Sequence, residues 1–263
     1  MKDPLSVGLV AVPKQPGAGL RQVSRVALPG VAFWAAKGLS TAMGESVSDW
    51  SIRAMVPELA VVLGFVGFVA ALAIQLTRGR YVPWAYWLAV GMVGVFGTMV
   101  ADVAHVVLRV PYVLSFLGCA VLLAGVFLLW RQREGTVDVH AVTTSTREVY
   151  YWAAVVLTFA MGTALGDMAA VTLHLGYLTT AVAFAVLILL PVIGYRFLRW
   201  NAVACFWSAY VLTRPLGASI ADWLGKPTTE GGLNAGAGLV GLLLALAMAG
   251  VVAWSARPGA KTP

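Results

Sequence analysis

Four aspartates in this chain stand at one spacing. Trp34, Gly44 and Asp49 form a first set; Trp87, Gly97 and Asp102 a second; Trp152, Gly162 and Asp167 a third; Trp207, Gly217 and Asp222 a fourth. Each obeys W-x9-G-x4-D without a gap, and the residue before each Asp is small: Ser48, Ala101, Gly166 and Ala221. On a helix, the residue four before Asp lies one turn below it on the same face. Those residues are Glu45, Thr98, Thr163 and Ala218, and His105 follows Asp102 by three. Carboxylate, threonine hydroxyl and imidazole donors suit a hard or borderline divalent ion, manganese for example, or protons. The candidate cation-binding, metal-ligating or proton-coupling set is therefore Glu45, Asp49, Asp102, Asp167 and Asp222. Lys37, Thr98, His105, Thr163 and Arg214 stand in support: Lys37 to neutralise an empty site, and Arg214, followed by Pro215, on a broken helix facing it.

A second reading gives the same residues a different task. Each Asp ties its own helix end to backbone amides or to Lys37 and Arg214, a structural lock repeated with the fold. Five acids against two bases leave three negative charges unbalanced, and Glu45 is present in the first copy alone. Both features favour a cation site, and the lock remains the alternative.

The elements that must carry these residues follow from composition. The chain has 263 residues, 60% hydrophobic and 11% charged, whereas a soluble domain carries about 25% charged residues. Lipid must cover what polar side chains cannot. Runs of about 20 apolar residues mark membrane helices, and eight are expected, near 31–52, 57–76, 82–108, 111–130, 149–173, 176–195, 200–224 and 233–254. Residues 1–30 and 256–263 read as solvated tails, and 131–148 as a polar loop between a first membrane half (31–130) and a second (149–255). Eight spans put both termini on one side, with thirteen Lys and Arg there against Arg53, Arg109 and Lys226 opposite. Positive charge collects in the cytoplasm, so both termini are placed there. The net charge of +7 follows from this topology, and no basic face for nucleic acid is present.

The repeat orders the spans. The Trp-to-Trp steps are 53, 65 and 55 residues. Each copy is a motif helix plus a plainer one, so the fold expected is all-α, with four two-helix repeats in two parallel halves and the four Asp at one depth. Gly44, Gly97, Gly162 and Gly217 each precede a small residue by four, a spacing that lets helix backbones approach closely. Asp lies about 140° around the helix from its Gly, on another interior face. The motif tryptophans read as interfacial anchors or interhelix wedges, and Tyr81, Trp84, Tyr86, Tyr150 and Tyr151 as an aromatic belt.

Cys119 and Cys205 show no metal or redox spacing, and no hydrolase, zinc-protease or Walker motif occurs, so no catalytic residue and no covalent cofactor is expected. The stretches "FWAAKGLSTAMGESVSDW", "YVPWAYWLAVGMVGVFGTMVAD", "TREVYYWAAVVLTFAMGTALGD" and "FWSAYVLTRPLGASIADWL" resemble a family of bacterial and archaeal multi-pass membrane proteins built from a short tandem repeat of unknown function. The resemblance implies this helical fold and a prokaryotic inner membrane, and it implies no activity. The function expected from the residues is a transporter or channel-like permease for a cation, partnered by lipid and by a small cation; a non-transporting scaffold or sensor is the alternative, and oligomeric state is open.

Overall fold

The computed structural model describes residues 23–257; the outer parts of both expected tails lie outside them. Within that range the chain forms nine α-helical segments: α1 (Val31–Ala54), α2 (Pro57–Thr77), α3 (Pro83–Asp102), α4 (Tyr112–Glu134), α5 (Ser145–Asp167), α6 (Tyr177–Leu187), α7 (Leu189–Phe197), α8 (Ala202–Gly225) and α9 (Ala237–Ser255). Local chemistry sets several ends. Pro57 and Pro83 open α2 and α3 at a position where a missing N–H costs nothing. The Asn201 side chain accepts from Val203 N and Ala204 N at the start of α8. Gly135, at φ 76, closes α4. The expected span 176–195 is broken at Ile188 into α6 and α7, because the ring of Pro191, three residues on, disrupts the preceding turn.

The motif helices make the centre. α1 packs on α3 and α8, and α5 packs on the same two, which closes a ring of four. Each remaining helix covers the outside of the next motif helix along the chain: α2 lies on α3, α4 on α5, α6 and α7 on α8, and α9 returns to α1. The four central helices run parallel. Their first turns meet in aromatic contacts around the whole ring: Phe33–Trp87 at 5.7 Å, Tyr86–Trp152 at 5.5 Å, Tyr151–Trp207 at 5.9 Å and Phe206–Phe33 at 5.9 Å between ring centroids. Their last turns carry the acids.

This molecule is polar inside and apolar outside. Lys37, Ser40, Thr41, Glu45, Ser48, Thr98, Arg214 and Asp222 are buried, while Leu63, Val66, Leu114, Val121, Val182, Leu243 and Leu246 point outward from the covering helices. Water rewards the opposite arrangement; lipid rewards this one. Six helices are long and apolar enough to cross a membrane: 57–77, 83–107, 112–134, 145–172, 177–197 and 237–255. Neither α1 nor α8 is among them, because both carry the charged groups of the interior.

Three expectations need correction. Tyr86 and Tyr151 are fully enclosed rather than part of the expected aromatic belt, beside Trp87, Trp152 and Trp207, which take the second of their two expected roles as buried wedges between helices; their large flat surfaces fill the aromatic end of the ring. The solvated loop is shorter than 131–148, since α4 runs to Glu134 and α5 starts at Ser145. Residues 23–30 are not a loose tail. Val26 is fully buried, Arg25 N donates to the Val142 carbonyl, and Tyr81 N donates to that of Ser24.

Close crossings sit where glycine permits them. A Cβ at Gly44 would lie 2.8 Å from the backbone of Gly94, one at Gly162 would lie 2.7 Å from Arg214 Cβ, and one at Gly217 would overlap the Thr41 side chain. Gly97 departs from the expectation: the nearest atom to its Cβ position is Phe159 Cβ at 4.0 Å, so a side chain, not a backbone, fills that seam. Gly44→Ala is therefore expected to destabilise the detergent-solubilised protein by about 1–3 kcal/mol through overpacking, while Gly97→Ala should leave its thermal midpoint unchanged or slightly raised; thermal unfolding of the two variants checks both.

Candidate functional site

Arg214 is the centre of the interior polar network. Its Nη2 donates to Glu45 Oε2 at 2.7 Å and to Thr98 Oγ1, and its Nη1 reaches the Thr41 carbonyl at 3.3 Å. The Thr98 hydroxyl donates to the Gly94 carbonyl at 2.9 Å, with Glu45 Oε2 at 3.3 Å. One guanidinium thus joins α1, α3 and α8. Pro215 helps to place it: a Cβ at Gly166 of α5 would lie 3.2 Å from Pro215, and α8 continues through the proline without a break. Glu45 is therefore a partner of Arg214 in this conformation rather than a free ligand.

The four aspartates occupy one level at the ends of the central helices. Asp102 lies within electrostatic reach of Glu45, Asp49, Asp167 and Lys226, and Asp222 within reach of Glu45, Asp49 and Asp167. They divide into two pairs. Asp49 meets Arg53 at 3.8 Å and Asp222 meets Lys226 at 3.2 Å, both across one helical turn. Asp102 and Asp167 have no hydrogen bond and no ion pair among the described residues. The local sequence explains the division. The first and fourth copies continue as D-W-x2-R and D-W-x2-K, placing a cation at the i+4 position. The second and third copies share D-x-A-x-V-x-L. There the α-helix passes directly after Asp into a π-helical turn, Val103–Val107 and Met168–Thr172, the kind of local widening that recurs at functional sites. Each π turn ends in a residue of positive φ, Arg109 at 55° and His174 at 54°.

The paired copies are neighbours in the ring. α1 and α8 form the half whose aspartates are ion-paired, and α3 and α5 the half whose aspartates are unpartnered. The α3–α5 seam is also the one filled by Phe159 at the level of Gly97. At its aromatic end it is tied, with the Tyr86 and Tyr151 hydroxyls 2.5 Å apart.

The supporting residues fall in different places. His105 turns back on its own loop, with Nδ1 at 2.8 Å from the Val110 carbonyl and its ring 4.1 Å from that of Tyr112. The Thr163 hydroxyl donates to the Phe159 carbonyl, since a buried threonine in a helix satisfies itself on the preceding turn. Lys37 is wholly buried, and its Nζ lies 4.0 Å from the Phe159 ring centroid and 4.2 Å from that of Tyr210. Among the described residues no three carboxylate, imidazole or thiol groups converge closely enough to hold a metal ion in this conformation.

Four residues escaped the sequence reading. Arg53 and Lys226 were legible as i+4 partners of Asp49 and Asp222. Lys226, just past the end of α8, is enclosed enough for burial to oppose its charge, yet Asp222, Asp49 and Glu45 outweigh that cost and hold its ammonium above the usual lysine range. Tyr112 and Tyr177, each ten residues after an Asp, open the covering helices α4 and α6. Tyr112 lies within reach of Asp167 and Asp102, and the Tyr177 hydroxyl is 3.3 Å from Lys226 Nζ. The D-x9-Y spacing in copies two and three was the available signal.

An all-helical bundle with apolar outer faces, six helices fit to cross a membrane and an ion-paired interior is an integral membrane protein built on an internal repeat. The chain belongs to the family described as Repeat of Unknown Function (DUF347), which matches residues 85–136, 150–199 and 205–260. Each match begins two residues before a motif tryptophan, at copies two, three and four. No curated protein and no solved structure matches the chain.

Breaking the central pair leaves a charge buried without a partner. Arg214→Leu is expected to cost about 3–5 kcal/mol, and the double variant Glu45→Leu with Arg214→Leu should recover a large part of that loss; a double-mutant cycle in thermal unfolding measures the coupling.

Proposed function

We propose that the protein is a cation permease of the prokaryotic cytoplasmic membrane, with Asp102 and Asp167 as the pair that receives the cation. The single observation behind this reading is their lack of any ion-pair or hydrogen-bond partner among the described residues, while every other acid of the four central helices has one. Two carboxylates that repel each other in a region of reduced dielectric constant are stabilised by a positive guest. Glu45, Asp49 and Asp222 surround the pair with further negative potential, and Tyr112 offers a phenol oxygen beside it. A hard or borderline divalent ion such as manganese, or a proton, matches oxygen donors of this kind.

In this reading eight helices span the bilayer as four two-helix repeats, the first copy being α1 and α2. They form two parallel halves, α1 to α4 and α5 to α9, with both termini in the cytoplasm. The halves meet at two seams. Gly217 and Thr41 close the α1–α8 seam backbone to side chain; Phe159 fills the α3–α5 seam. Movement of the halves then opens α3 from α5 at the acidic end, bringing Asp102 and Asp167 together or apart, while α1 and α8 act as the hinge. Asp49 and Asp222, held by Arg53 and Lys226, serve as the structural locks of the alternative reading, so each reading accounts for one half of the ring.

Uptake of Mn²⁺ by liposomes containing the purified protein tests this. Asp102→Asn and Asp167→Asn are expected to lower the flux by at least about tenfold, a loss of about 1.4 kcal/mol or more, without lowering the thermal midpoint. Asp49→Asn and Asp222→Asn should lower the midpoint and leave flux in the surviving protein. Full flux in both Asp102 and Asp167 variants, or their failure to fold, refutes the assignment.

A further inference from the structure

Lys37 is a buried cation of the central ring with no acidic partner among the described residues. It stands in the middle of α1, two turns before Glu45, and it is 0% exposed. Its Nζ makes no hydrogen bond among the described residues. The only Glu on its helix is occupied by Arg214 at 2.7 Å. What faces the amine is aromatic, Phe159 from α5 on one side and Tyr210 from α8 on the other. A lysine kept for structure alone would be paired with an acid, because an isolated buried ammonium is costly. The site instead suits both forms of the group. Ring faces stabilise the ammonium, and exclusion of water and of any acceptor stabilises the free amine.

We propose that Lys37 is the proton-carrying group of this protein, releasing one proton as a cation enters the acidic pole and regaining it as the cation leaves. The proposal rests on the cation reading above for its coupling, and on the enclosure of Lys37 for its chemistry. In the release step one N–H bond of the ammonium breaks, its electron pair remains on Nζ, and the proton moves toward the aromatic pole. Hydroxyls stand ready along that side. Tyr210 OH is buried beside the Tyr151 hydroxyl. Tyr151 shares a hydrogen bond with Tyr86. One turn before Tyr151 on the same helix, the enclosed Glu148 carboxylate accepts from Arg25 at 2.8 Å and Gln75 at 2.9 Å, and the proton passes to solvent water at that pole. In the return step the same path runs backwards.

The charge balance around Lys37 makes it respond to the site. The cation nearest to it is Arg214 of α8. α9 carries no titratable side chain, α2 only the exposed Glu58, and α3 only Tyr86 and Asp102 at its two ends. With so few competing charges, positive charge arriving among Glu45, Asp102 and Asp167 acts on Lys37 directly through the low-dielectric interior.

Two measurements on the intact protein test this. The chain has five lysines, Lys2, Lys14, Lys37, Lys226 and Lys261, so ¹⁵N-lysine NMR resolves their side chains, and Lys37→Arg assigns the signal. The expected result is an Nζ signal that changes from ammonium to amine below the ordinary lysine range. A Lys37 signal that stays ammonium throughout overturns the proposal, whatever the transport result. In liposomes loaded with a pH-sensitive dye, an Mn²⁺ gradient should drive opposite proton movement in the wild type. Lys37→Arg, which keeps the charge and cannot release it at neutral pH, and Lys37→Met should abolish that proton movement; proton movement that persists in a folded variant also overturns the proposal. Absence of Mn²⁺ flux in the wild type refutes the cation reading instead, and the NMR titration still decides the fate of Lys37.

Discussion

An arginine and a glutamate held together where water is excluded set the terms for the rest of this protein. Arg214 and Glu45 are both buried, and neither can be removed alone without stranding the other. Their contact fixes α8 against α1, and Thr98 extends it to α3. The glycines are consequences of the same demand. A guanidinium reaches a carboxylate on the neighbouring helix at 2.7 Å because Gly217 lets α8 close on Thr41 of α1, and Gly162 leaves room for the stem of Arg214.

With that pair in place the ring is unequal on purpose of its sequence. Repeats one and four place a cation one turn after their aspartate; repeats two and three place a π turn there instead. The chemistry follows the division. Asp49 and Asp222 are ion-paired on α1 and α8, whereas Asp102 and Asp167 stand without an ion-pair partner among the described residues, beside a seam that Phe159 fills. The opposite end of the ring is tied by aromatic contacts, so any loosening is confined to the acidic level. A protein built from four related repeats acquires an ion-paired half and an unpartnered half in this way.

Along the axis, ionisable and hydroxyl groups follow one another from Glu148, through the tyrosine hydroxyls and Lys37, to Glu45 and the aspartates. A hydrophobic bundle has no thermodynamic reason to accumulate such groups in its centre, since each costs free energy to bury.

The sequence by itself determined the membrane class, the all-helical content and the internal repeat, because hydropathy and spacing act along the chain. It also held, unread, the i+4 partners Arg53 and Lys226. What only the tertiary structure decided is which charge meets which. Arg214 lies 169 residues from Glu45, and no periodicity announces a pairing between helices so distant in the chain. The burial of the motif tryptophans was equally out of reach, since an indole suits a lipid interface or a helix seam alike until the neighbouring helix is placed. The same holds for Gly97, whose spacing matches the other three while its surroundings do not. Local physics fixed the parts, and the separation of paired from unpaired aspartates came from how four parallel helices closed on one another.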